Sequence, residues 1–193
     1  TNEAFASYDP AYAYEIRHIV RDALERWYGP DSGRDRNIMY YLTVYNEPMV
    51  QPAEPADVDV EGIIKGIHKI ADAPESDGPE VQLLASGVGV PWVLEARRIL
   101  VQDWGVRASV WSVTSWGELR REALAAEKQN FLNPSAPHRT PYLENKLASA
   151  QGPFVATSDY DHAVPDLIRP WIPGSYHVLG ADGFGFSDTR AAA

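Results

Sequence analysis

Val81–Val113 reads VQLLASGVGVPWVLEARRILVQDWGVRASVWSV. An apolar run, Val81–Ala85, meets a glycine turn, Ser86–Gly89. Pro91 suits the first turn of a helix, and Val93, Leu94, Arg97, Ile99, Leu100 and Val101 follow at a spacing that fits one helical face. Gly105 can take the left-handed dihedrals of a C-terminal cap, and Ala108–Val113 supplies a second strand. Strand, helix and strand within about thirty residues make a βαβ crossover, which predicts parallel strands in a largely buried sheet.

Downstream elements read as additions to that sheet. Ser115 and Glu118 have capping-box spacing, so a helix begins there and runs through Leu119, Ala123, Leu124 and Ala126. Pro134, Pro137 and Pro141 break the next stretch before a short helix, Tyr142–Leu147. Pro153–Thr157 and Tyr176–Leu179 read as third and fourth strands, with a short helix, Asp166–Trp171, between them.

Upstream, Asp9-Pro10 reads as the cap and first residue of a helix carrying Tyr12, Ile16, Ile19, Val20, Ala23, Leu24 and Trp27 and ending at Gly29-Pro30. Tyr12 and Tyr14 read as core. Met39–Val44 is aromatic and β-branched, a buried strand that runs into Tyr45-Asn46-Glu47-Pro48. Gln51–Asp59, with Pro52 and Pro55, predicts an extended linker and a domain boundary. Val60–Ile70 reads as an amphipathic segment through Ile63, Ile64, Ile67 and Ile70, and Ala73–Glu80 as a surface turn.

The 193 residues are 45% hydrophobic and 23% charged, enough for a substantial core. A net charge of −10 argues against a general nucleic-acid surface. Without cysteine, disulfides, thiolate catalysis and cysteine-bound zinc are excluded. No apolar run approaches the roughly 20 residues that span a bilayer, and no signal peptide is visible, so the expected compartment is the cytoplasm. The chain starts at Thr1 and stops at Ala193 as if inside a helix, which suggests a piece of a longer protein.

Few residues point to chemistry. The Gly87-Val88-Gly89 turn lies where a dinucleotide phosphate would bind, but Trp92 stands at the third glycine position and Val106–Val113 holds no acidic residue. A tight turn is the alternative. Glu47, at the end of a strand where ligands of open α/β sheets gather, is the candidate catalytic residue. A carboxylate there can be partly desolvated and exchange protons near neutral pH, or it can simply cap a backbone group. His18, His68, His138, His162 and His177 show no metal-ligand spacing, and Asp159, Asp161 and His162 read as solvated loop residues. Ser115 is explained by capping. Gly180–Asp188 can cradle an anion or form a strand-to-helix turn capped by Ser187 or Asp188, and the turn is preferred.

Five stretches together carry a family resemblance: PAYAYEI (Pro10–Ile16), YYLTVYNEP (Tyr40–Pro48), VQLLASG (Val81–Gly87), WSVTS (Trp111–Ser115) and LGADGFGFSDTR (Leu179–Arg190). They resemble the homodimeric pyruvate dehydrogenase decarboxylating components, most of all the actinobacterial branch, along the whole chain and in order.

The resemblance implies an α/β fold: a transketolase C-terminal-type, mostly parallel sheet with helices on both faces, preceded by the end of a pyrimidine-binding α/β domain. Residues 1–55 would end that middle domain and start the linker; residues 56–193 would form the C-terminal domain, incomplete at its end. The family decarboxylates pyruvate on thiamin diphosphate and magnesium and passes the acetyl unit to a lipoyl group. Its magnesium motif and its pyrimidine-activating glutamate belong to segments outside this stretch, so no cofactor or metal ligand is assigned here, and Asp182-Gly183 is not that motif. The stretch alone is expected to bind neither cofactor and to be inactive.

Glu47 would lie near the cofactor and substrate, but the family's histidine shortly after it is replaced by Pro48-Met49-Val50-Gln51. Implied partners are a second copy of the subunit, the dihydrolipoyl acetyltransferase with its lipoyl domain, and pyruvate; no nucleic acid or membrane is expected. The alternative is a non-catalytic assembly or binding module of a 2-oxo acid dehydrogenase complex. Exposure of Trp92, Trp104, Trp116 and Trp171 would favour it, and burial of all four would oppose it.

Overall fold

The computed structural model describes residues 4–30, 37–46 and 48–183. Strand β1 (Phe5–Tyr8), helix α1 (Ala13–Tyr28) and strand β2 (Met39–Leu42) come first, and β1 and β2 pair in parallel from Phe5–Met39 to Tyr8–Leu42. After an extended segment come helix α2 (Val60–Lys65) and strand β3 (His68–Ala71). The crossover unit is β4 (Glu80–Ala85), α3 (Gly89–Trp104) and β5 (Arg107–Ser112). Helices α4 (Trp116–Leu132) and α5 (Tyr142–Leu147), strand β6 (Phe154–Thr157), the short helix α6 (Ala163–Asp166), a 3-10 turn (Arg169–Trp171) and strand β7 (Tyr176–Leu179) complete the described residues.

The main sheet has the order β3-β5-β4-β6-β7. Its β5-β4, β4-β6 and β6-β7 pairs are parallel, and only β3 runs antiparallel. The expected mostly parallel sheet with helices on both faces is therefore observed. Strand alternation builds the two layers. Val81, Leu83, Ala108 and Val110 pack with Val90 and Val93 of α3 and with Tyr12, Tyr14 and Ile19 of the α1 region. Leu84, Trp111, Phe154 and Ala156 point the other way, onto Trp116, Leu119, Leu143, Leu147 and Ile168. Gly105 closes α3 at φ +62°, and Ser115 Oγ accepts the Glu118 N–H at 3.0 Å, both as the sequence predicts.

Several expectations need correction. Helix α1 starts at Ala13, because the Asp9 carboxyl is used elsewhere and the first turn is capped from within by Glu15. Val20 and Leu24 lie on its exposed side. Strand β2 is not buried: Met39 is 63% and Tyr41 54% exposed, because their side of the two-stranded sheet is only partly covered. Strand β1 went unforeseen, being four residues of ordinary composition. The 60–70 segment is a helix plus a strand; Gly66, at φ +113°, turns between them where a Cβ would lie 2.5 Å from Ser115 O. In place of a helix over Asp166–Trp171, α6 ends at Asp166 and a 3-10 turn begins at Arg169.

One buried polar cluster joins the first segment to the main sheet. Glu15, on α1, is fully buried. Its Oε2 accepts the N–H groups of Ala11 at 2.6 Å and Tyr12 at 2.9 Å. Its Oε1 lies 2.6 Å from His68 Nε2 on β3 and accepts the Ser112 hydroxyl at 2.7 Å on β5. The Tyr14 ring meets His68 edge-on at 6.2 Å. Removing one partner of such a pair strands the other without water. Glu15→Ala should therefore destabilise the protein by about 3–5 kcal/mol, and Ser112→Ala by only about 1 kcal/mol, in urea denaturation. Equal losses would mean that the cluster is not organised on Glu15.

Candidate functional site

Parallel strands deliver their carboxyl ends to one edge of a sheet, and ligands of α/β proteins gather at such edges. Here the ends of β1, β2, β4 and β6 meet at Asp9, Thr43–Asn46, Ser86–Gly87 and Ser158–Tyr160. Asp9, following β1, is the hub. It is buried, and its Oδ1 accepts the Thr43 hydroxyl at 2.7 Å and the Tyr45 hydroxyl at 2.8 Å. Its N–H donates to Thr114 O at 2.8 Å, and its carbonyl accepts the Gly87 N–H at 3.0 Å. Tyr160 lines the same cavity as Asp9 and Thr43. Burial first, and Asp9 second, hold the Tyr45 hydroxyl well above its ordinary range. Asp9 Oδ2 and Ser86 Oγ are buried without a partner among the described residues.

The same geometry decides the glycine turn. Gly87 has φ +49°, and a Cβ there would press on Tyr45 Oη and sit 2.7 Å from Asp9 Oδ1. The place a phosphate would need is thus taken by a carboxyl group and a phenol. The tight-turn reading holds, and Gly89 and Val90 spend their N–H groups on Ser86 and Gly87 carbonyls.

Glu47 lies outside the described residues. Its neighbours Asn46 and Pro48 are exposed. Gln51 accepts the Ala13 N–H at 2.9 Å through Oε1, which ties the linker to the start of α1. Ser115 caps α4 and also donates to Ser7 O at 2.6 Å, so capping and packing account for it. Trp116 and Trp171 are buried, whereas Trp92 is 48% and Trp104 71% exposed on α3.

One grouping escaped sequence reasoning. Asp161, His162 and Asp182 converge although Asp182 lies twenty residues along the chain, past β7, and all three are exposed. Pairing of β6 with β7 brings their following loops together, and no local spacing could signal it. His162 Nδ1 is 2.8 Å from Asp182 Oδ1 and 3.6 Å from Asp161 Oδ1, and Asp182 also accepts the His162 N–H at 3.0 Å. The Asp182 hydrogen bond, then its charge, raises the His162 pKa above its ordinary value of 6.5. The His162 N–H, then its ring, lowers that of Asp182. The remaining residues of the Gly180–Asp188 run, from Phe184, fall outside the described residues, as do Ser187 and Asp188 as caps.

A histidine whose folded pKa is raised holds its proton more tightly in the folded state. The loop clamp therefore contributes fully below pH 6.5 and fades as pH rises through the folded value. An NMR titration of His162 should give a midpoint above 6.5, falling back in Asp182→Asn. An unchanged midpoint in that variant would remove Asp182 as the cause.

Comparison with known proteins supplies the family. Residues 66–193 match the transketolase-like TK C-terminal domain, and residues 1–52 match the pyruvate dehydrogenase E1 component middle domain. The chain is 53% identical over 193 residues to the pyruvate dehydrogenase E1 component of Mycolicibacterium smegmatis, covering 100% of this chain and 20% of that protein. Identity to the component of the same name is 50% over 193 residues in Mycobacterium tuberculosis, with the same coverage, and 44% over 185 residues in Escherichia coli K12, covering 95% of this chain and 20% of that protein. The chain thus spans about a fifth of the length of these relatives. Among solved structures, transketolase from Campylobacter jejuni superposes with TM-score 0.59 at 19% identity, over 98% of this chain and 23% of that one. Transketolase from Leishmania mexicana gives 0.56 at 19%, over 98% and 22%. At that identity the likeness speaks for the fold alone. By the match over residues 66–193, which the sheet order and the layers accompany, this chain belongs to the transketolase-like C-terminal domain family.

Proposed function

We propose that this chain is the C-terminal part of an enzyme that oxidatively decarboxylates pyruvate on thiamin diphosphate and magnesium and acetylates a lipoyl group. The observation that carries the reading is 53% identity along the entire chain to a pyruvate dehydrogenase E1 component, through both matched domains in order. The proposed partners are a second copy of the subunit, the dihydrolipoyl acetyltransferase with its lipoyl domain, and pyruvate. Cytoplasmic location is proposed with the same reading; among the described residues no helix is long and apolar enough to cross a membrane. The proposed division places the end of the middle domain and the linker start in residues 1–55 and the C-terminal domain in 56–193.

The residues present do not by themselves fit the cofactor. The glycine turn that could receive a diphosphate is filled by Asp9 and Tyr45, and the chain carries a net charge of −10. No step through the cofactor or its metal is therefore assigned to this segment. What it offers is a braced strand end, Thr43–Asn46, leading into Glu47, whose carboxyl would exchange a proton or orient a reacting group there. A second reading, an assembly surface, is favoured by one observation: α3 and α4 end on exposed Trp104, Phe131 and Leu132.

Two measurements test the first reading. In the full-length enzyme, Glu47→Gln should lower kcat by about 10²–10⁴-fold if the carboxyl moves a proton. A wild-type rate would leave it a capping role. Calorimetry should find no tight thiamin diphosphate binding to the 193-residue chain alone. Tight binding would overturn the assignment of the cofactor site to other segments.

A further inference from the structure

We propose that Asp9 is a positioning residue that sets the direction in which the chain after β2 leaves through Asn46; the inference rests on the proposed role of Glu47. Burying a carboxyl group is costly unless both oxygens are met. Asp9 is buried, yet only Oδ1 has partners among the described residues. Stability alone does not explain such a group, and its partners suggest what it does instead.

Thr43 and Tyr45 are two residues apart in extended chain, so their side chains leave from the same side. Both hydroxyls converge on the same Oδ1, at 2.7 and 2.8 Å. One anchor would hold the strand end in place while leaving it free to rotate. Two anchors at alternate residues also set its rotation, and with it the direction in which the chain leaves through Asn46. The bracket is rigid from behind. The Asp9 backbone is bonded to Thr114 O and to the Gly87 N–H, so it sits on the ends of β5 and β4. Gly87 lets Tyr45 and Asp9 approach to a distance no Cβ would allow. Tyr160, after β6, lines the cavity beside Asp9 and Thr43. Misplacing a reacting group by about 1 Å can cost on the order of 10²-fold in rate, so a bracket of this kind matters to kcat more than to substrate affinity.

The test uses the full-length enzyme with rates normalised to folded protein. Asp9→Ala should lower kcat about 10–100-fold while KM stays within about threefold. The pair Thr43→Val with Tyr45→Phe keeps the carboxyl and removes both anchors, and should reproduce the kcat loss even if Asp9→Ala fails to fold. In a Glu47→Gln background, Asp9→Ala should add less than about threefold, because both changes act on one group. Unchanged kcat in the anchor pair, or a full and independent Asp9→Ala loss on top of Glu47→Gln, overturns the proposal. If Glu47→Gln alone keeps the wild-type rate, the reading of Glu47 fails. The anchor pair then decides the positioning role by itself: a kcat loss at constant KM supports it through Asn46, and no loss overturns it.

Discussion

Burying a carboxyl group costs least when both oxygens find donors within the fold, and at Glu15 both do. Four groups from three places meet it: the backbone ahead of α1, His68 on β3 and Ser112 on β5. The requirement is strict, because a buried carboxyl that loses a partner cannot recover it from solvent. It fixes where α1 lies on the main sheet and how β3 turns back antiparallel beside β5. The apolar layer around Tyr12, Ile19, Val81 and Val110 then closes over that arrangement and contributes most of the burial.

Asp9 repeats the device a few residues earlier with a different balance. Glu15 is fully partnered and explains itself as architecture. Asp9 leaves one oxygen bare and directs the other to two hydroxyls at the end of β2. The short stretch from the end of β1 into the first turn of α1 therefore holds both the weld between the two segments and the brace at the strand end. This accounts for the density of polar atoms where Asp9, Thr43, Tyr45, Ser86 and Tyr160 meet, in an otherwise apolar junction.

The position of this junction follows from strand direction. The carboxyl ends of two parallel pairs, β1–β2 and β4–β6, converge there, and the helices that follow β4 and β5 start close by. The glycine turn looks like a phosphate cradle in one dimension. In three it is a tight corner, since Asp9 arrives from another segment and fills it. Residues 1–52 and 66–193 match different families, and the junction draws Asp9, Thr43 and Tyr45 from the first range and Gly87 and Thr114 from the second.

Local patterns determined a good deal from sequence alone. The crossover at Val81–Val113, the capping of α4 by Ser115, the stop at Gly105 and strands β6 and β7 were all legible, because each depends on residues within a turn or two of one another. The family could be read too, since its long motifs survive in order. Tertiary structure decided the rest. Asp9 looked like a helix cap because Asp-Pro has that local meaning, but the better offer came from Thr43 and Tyr45, more than thirty residues away. Strands β1 (Phe-Ala-Ser-Tyr) and β3 (His-Lys-Ile-Ala) lack the apolar, β-branched run next to proline or glycine that marks β6 and β7, and each is held by a paired neighbour. The meeting of His162 with Asp182 and of Glu15 with His68 and Ser112 could not be read from spacing. Hydrogen bonds between distant residues are chosen by which segments the packed layers bring together, and no short window of sequence contains that choice.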